Sequence, residues 1–277
     1  MKKQFLGFAV VAAAAILTAS PASAHRQWLL PSSTVLSGDD VWVTVDAAVS
    51  NDLFYFEHQP LRLNSMKAWA PDGSEAPIEN ASTGRYRSTF DVHLTQKGTW
   101  RIASVSDGVM GTYDLGGKTE RLPRGTTTAN LAERLPAGAT NVKTAESNNR
   151  NEIFVTVGEP TTTLFKPTGK GIELAPVTHP NDLFAGEAAT FQFLLDGKPA
   201  AGLPVTVIPG GIRYRDQLGQ IDLTTDAAGK VEVTWPEAGL YWLNVTTPRA
   251  AREEGEAAPA APQRRASYVT TLEVMAP

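Results

Sequence analysis

His25, His58, His93 and His179 are the four histidines of this 277-residue chain, and with no cysteine present they dominate its potential chemistry. The lack of thiols excludes disulfides, thiolate metal sites and cysteine nucleophiles. His25 directly follows Ala22-Ser23-Ala24, a small-x-small pattern at which a secretory leader is cut. Cleavage after Ala24 makes His25 the mature first residue. Its α-amine, with a pKa of about 8, and its ring Nδ1 then close a chelate on a metal ion. One further imidazole completes a three-nitrogen set that suits copper and also nickel or cobalt.

The common alternative, a histidine at mature position three, is ruled out because Gln27 stands there. The second imidazole must therefore come from His58, His93 or His179, although each of them taken singly fits a structural role better than a metal-binding one. Glu57, Asp91 and Asp114 are candidate oxygen ligands or orienters of a ligating ring. Met66 and Met110 are too scattered for a thioether copper site, and Trp28 and Trp42 read as core residues.

Upstream, Lys2 and Lys3 precede an apolar run from Phe5 to Ala19. This is the pattern of a signal peptide over 1–24, too short for a membrane span, and no later run is long enough to cross a bilayer. The expected location is the periplasm. The formal net charge of -4 becomes more negative without the leader, and no basic cluster interleaved with aromatics suggests a nucleic acid partner.

Enzyme signatures are missing. There is no G-x-S-x-G elbow and no H-E-x-x-H, and Gly117-Lys118-Thr119 has Thr112 where a phosphate loop needs its first glycine.

The elements that must position the histidines are strands. In the stretch 40–49, Val41, Val43 and Val45 alternate with Trp42, Thr44 and Asp46. Similar segments fall at 60–69, 85–94, 99–105, 151–157, 187–195, 203–208, 229–235, 239–247 and 266–274, separated by turn chemistry such as Pro71-Asp72-Gly73. The one helical candidate, 126–136, is stopped by Pro136. Residues 36–46 resemble 184–196, and 98–105 resemble 239–246. The chain is therefore expected to be all-β, with two tandem immunoglobulin-like or prealbumin-like β-sandwiches, 25–160 and 161–277. The Ala-, Pro- and charge-rich 248–265 reads as a mobile loop.

Three stretches then resemble one known family: "AHRQWLLP" at the mature start, 151–207 with "GKGIELAPVTHPNDLFAGE", and 224–245. They are similar to exported bacterial proteins with a domain of unknown function, described as the periplasmic component of cobalt or nickel ABC uptake systems. The resemblance implies metal uptake or handling, a membrane transporter as partner, and roles for His25 and His179, which lie in the matching stretches. On this reading the chain is a non-enzymatic metal-binding accessory protein. The rivals are a copper histidine-brace oxidase acting on polysaccharide and a protein-binding sandwich module.

Overall fold

The computed structural model describes residues 25–248 and 264–277, so the leader expected over 1–24 and most of the loop expected over 248–265 lie outside the described residues. The described chain is all-β, with a single α-helical turn, Leu131–Arg134. The helix expected over 126–136 shrinks to that turn, since it buries no side chain and therefore has no packing to extend it.

The strands form three sheets. A five-stranded sheet runs in the order Arg26–Pro31, Val41–Ser50, Ser88–Leu94, Glu79–Thr83, with Gln59–Pro60 also paired to Val41–Ser50. A four-stranded sheet holds Ile172–Pro176, Ala188–Leu195, Lys198–Pro199 and Lys230–Thr234. Between them lies a ten-stranded sheet, continuous because Thr140–Val157 pairs in parallel with Arg265–Val274, from Ser147 opposite Arg265 to Glu152 opposite Thr270. Its other interior strands include Gly98–Leu115, Pro204–Pro209 and Gly239–Thr246.

Each outer sheet packs on one half of the shared sheet. Val43, Val45, Phe90, Val92, Trp100, Ile102, Ile153 and Val155 fill the first core. Phe191, Phe193, Val207, Trp235, Tyr241, Leu243 and Tyr268 fill the second. The alternation of the 41–49 stretch reflects this directly, with valines inward and Trp42 and Thr44 outward. Gly98–Leu115 and Thr140–Val157 are each 18 residues long. They outrun the core as a ribbon to which Lys118–Arg121 adds a third strand along Thr112–Leu115.

A third, smaller core joins the halves. Trp28, Ala48 and Leu53 from the first sandwich meet Ile208, Trp242 and Val269 from the second. Trp28 Nε1 donates to Ser50 Oγ at 2.8 Å, and Trp242 Nε1 donates to the Gln27 carbonyl at 2.9 Å. Each indole thus buries its ring without orphaning its N–H. Trp28→Ala should cost about 3–5 kcal/mol through the cavity it leaves, measured as a drop in unfolding free energy in urea.

Candidate metal centre

The geometry of the candidate site begins with strand register. Arg26 lies opposite Ser50 on one edge of Val41–Ser50, and Gln59 lies opposite Val49 on the other. His25 and His58 are the residues immediately before these two flanking strands, so both emerge at the same end of the central strand. Their rings stack with centroids 4.0 Å apart and planes 28° from parallel. Both residues are exposed, and neither ring makes a hydrogen bond among the described residues.

The 50–58 loop that carries His58 is closed by Glu57. Its Oε1 accepts the N–H groups of Asn51 at 3.0 Å and Asp52 at 2.9 Å. Arg26 donates to the Asn51 carbonyl at 2.8 Å, tying the residue beside His25 to the same loop. From the second sandwich, Arg213 donates to Asp52 Oδ2 at 3.0 Å and Glu57 Oε2 at 2.7 Å, with its guanidinium 4.1 Å from the Tyr55 ring centroid. The Asp52 N–H, and then the Arg213 guanidinium, hold the Glu57 carboxyl below its ordinary 4.5. The same two carboxylates raise Arg213. Glu57, a candidate ligand by sequence, therefore has both oxygens committed to shaping the loop.

The arm bearing Arg213 is itself pinned. The Arg215 guanidinium donates to the carbonyls of Pro209, Gly210, Gln217 and Leu218. Phe54 adopts a left-handed φ of 65°, a strained value for a bulky residue that persists only where its surroundings enforce it. Its ring lies over Gly210, where an added Cβ would stand 3.0 Å from Phe54 Cδ2 and 3.2 Å from the Leu240 carbonyl. Tyr214, 85% exposed, meets Tyr55 edge-on with centroids 6.3 Å apart.

The other two histidines lie elsewhere and are engaged. His93 stacks on Trp42 at 4.3 Å and 2°, with Nε2 2.8 Å from Asp40 Oδ1, on the outer face of the first sheet. Trp42 is 40% exposed there and not in the core, as its alternation with the inward valines dictates. His179 Nδ1 accepts the Asn181 N–H at 3.1 Å, so Nε2 carries the proton toward Thr99 Oγ1 at 3.0 Å. Burial lowers its pKa and favours the neutral ring. His179 thereby ties the loop between Ile172–Pro176 and Ala188–Leu195 to the shared sheet.

Asp91 is bonded to Thr44 and Asn80, and Asp114 to Thr119 and Asn141 on the ribbon. Met66 is in the first core and Met110 is exposed on the ribbon. Among the described residues, no three His, Cys, Asp or Glu side chains form a group able to hold a metal ion.

Sequence reasoning missed Arg213, Tyr55 and Tyr214. Arg213 is 156 residues from Glu57, and no spacing signal spans that distance.

Gly210→Val should lower the melting temperature by overpacking against Phe54, at a cost of about 1–3 kcal/mol, measured by thermal denaturation. Because the Glu57 pKa is depressed in the folded state, its contribution is present above the ordinary 4.5 and lost as pH falls through the lower folded value. Glu57→Gln should flatten that part of the stability profile, checked by urea unfolding from pH 6 down to about pH 3.

The family described as "Domain of unknown function (DUF4198)" matches residues 22–249. No curated protein matches the chain. Among solved structures, the D0-D1 domain of intimin is 11% identical and covers 87% of this chain and 96% of its own, with a TM-score of 0.19. The two tandem V-type regions of VCBP3, a v-region-containing chitin binding protein, are 9% identical over 90% of this chain and 99% of theirs, with a TM-score of 0.20. A DUF4785 family protein from Legionella pneumophila is 8% identical over 78% of this chain and 50% of its own, with a TM-score of 0.22. The strand pairing, and not these low scores, defines the architecture.

Proposed function

This chain belongs to the DUF4198 family, and we propose that it is a periplasmic transition-metal-binding accessory protein, active after removal of its leader. The observation that carries this reading is the closeness of His25 and His58, ring centroids 4.0 Å apart, with no protein hydrogen bond to hold either ring from turning a nitrogen toward a shared ion. Two side chains alone hold a divalent ion weakly. Cleavage after Ala24 adds the α-amine of His25, which shares a residue with one imidazole and so brings its nitrogen at little further ordering cost. The donor set is then two imidazoles and one amine, which suits copper, nickel or cobalt over calcium or magnesium.

The ion would sit at an exposed strand end where a membrane transporter can reach it. That placement suits delivery and not permanent storage. Cobalt or nickel uptake fits the family resemblance, while copper fits the donor preference, since copper leads the divalent series at nitrogen sites.

One observation favours a second reading, a copper oxidase acting on polysaccharide. Tyr55 and the strongly exposed Tyr214 stand on the loops that frame the histidine pair, and aromatic rings at a surface are suited to stacking on sugars. Such an enzyme would need a reductant and oxygen, and would release oxidised oligosaccharides when incubated with them.

Calorimetric titration of the leader-cleaved protein with Cu, Ni, Co and Zn tests the first reading. One ion should bind per chain. Affinity should fall at least about tenfold, roughly 1.4 kcal/mol, both in His58→Ala and in a form with one extra residue before His25. Equal binding by all three forms would remove the amino-terminal site.

A further inference from the structure

On the face of the shared sheet away from the first core, Gly98–Leu115, Met66–Trp69 and Thr140–Val157 floor a cleft of about 390 Å³. Thr168 and Lys170, from the segment between the sandwiches, and Ile172, at the start of Ile172–Pro176, also line it. This volume lies within the range of small-molecule sites.

Arg101 is the unusual group there. Its guanidinium lies 4.5 Å from the Trp69 ring centroid, and one terminal nitrogen donates to the Leu164 carbonyl at 3.1 Å. Its Nε is buried without a partner, and none of the ion pairs among the described residues includes it. Burial holds it below the usual arginine range.

The carboxylates around the cleft are committed to other donors. Glu173 accepts the Thr168 N–H and hydroxyl, the Gly169 N–H and Arg150. Glu152 accepts Arg150, Asp107 accepts the Asn148 amide, and Glu75 accepts Lys67. Lys170, exposed at the same cleft, has no ion pair among the described residues. A half-buried guanidinium outside every ion pair among the described residues, sharing the lining of one cleft with an unpaired lysine and with Trp69, Val105 and Ile172 as apolar surface, is built to receive an anion carried on an organic body.

We propose that this cleft binds a small organic ligand through an oxyanion, with Arg101 as the buried anchor and Lys170 as the rim contact. The site is independent of the histidine pair. Its separation from that pair also makes it testable on metal-free protein.

The test is calorimetry on metal-free, leader-cleaved protein at constant ionic strength, with benzoate and citrate as organic carboxylates and inorganic phosphate as the bare oxyanion. At least one probe should bind at one per chain, and its affinity should fall about tenfold or more in Arg101→Gln. Affinity should fall severalfold in Lys170→Glu, an exposed change that leaves the fold intact should Arg101→Gln misfold. Tighter binding of a carboxylate than of phosphate supports the organic ligand. Phosphate binding equally well, with the same dependence on both residues, supports the oxyanion site but overturns the requirement for an organic body. No binding by any probe, or wild-type affinity in Lys170→Glu together with a folded Arg101→Gln, overturns the proposal.

Discussion

The parallel pairing of Arg265–Val274 with Thr140–Val157 is the constraint on which the rest of the molecule depends. Two sandwiches joined only by a linker would be free to move against one another. Here one sheet runs through both, so the relative placement of their loops is set by backbone hydrogen bonds. The small core of Trp28, Leu53, Ile208, Trp242 and Val269 then fills the angle beside that seam. As a result, Arg213 from one half can clamp Asp52 and Glu57 of the other, and the loop bearing His58 is held beside His25.

The clamp itself is a set of partly exposed ion pairs, and such pairs contribute little to global stability. Its effect is local. Glu57 ties two backbone N–H groups, Arg213 ties Glu57, and Arg215 ties the arm that presents Arg213. Phe54 held at a left-handed φ against Gly210 is the strain this arrangement supports. Strain and ion pairing concentrate around the one place where two imidazoles stand together without protein hydrogen bonds. The remaining histidines contrast with this: His93 is spent on Asp40 and Trp42, and His179 on Thr99 and Asn181.

Much of the fold was legible because burial imposes period two. Valines 41, 43 and 45 and the 188–195 strand declare themselves by alternation, and the all-β class follows. The Arg26–Pro31 strand did not declare itself. Both its faces meet protein, with Trp28 in the junction core and Leu29 in the first core, so its residues do not alternate in character. The ribbon extensions of Gly98–Leu115 and Thr140–Val157 escaped because they run beyond both main cores, where burial imposes no regular alternation. The continuity of the central sheet was also hidden, because parallel pairing between distant strands leaves no local turn to read. At the site, His25 was legible from the cleavage pattern alone. Its pairing with His58 was not, because it depends on two short strands reaching opposite edges of Val41–Ser50. Arg213 was invisible for want of any signal across the intervening chain.

The central claim is that His25 and His58 bind a single ion together. Electron spin-echo envelope modulation on the leader-cleaved protein with one equivalent of Cu(II) tests it most directly, because the remote nitrogen of each bound imidazole gives its own modulation. The account predicts the pattern of two equatorial imidazoles, reduced to one in His58→Ala and unchanged in His93→Ala. A single-imidazole pattern in the unsubstituted protein would contradict it.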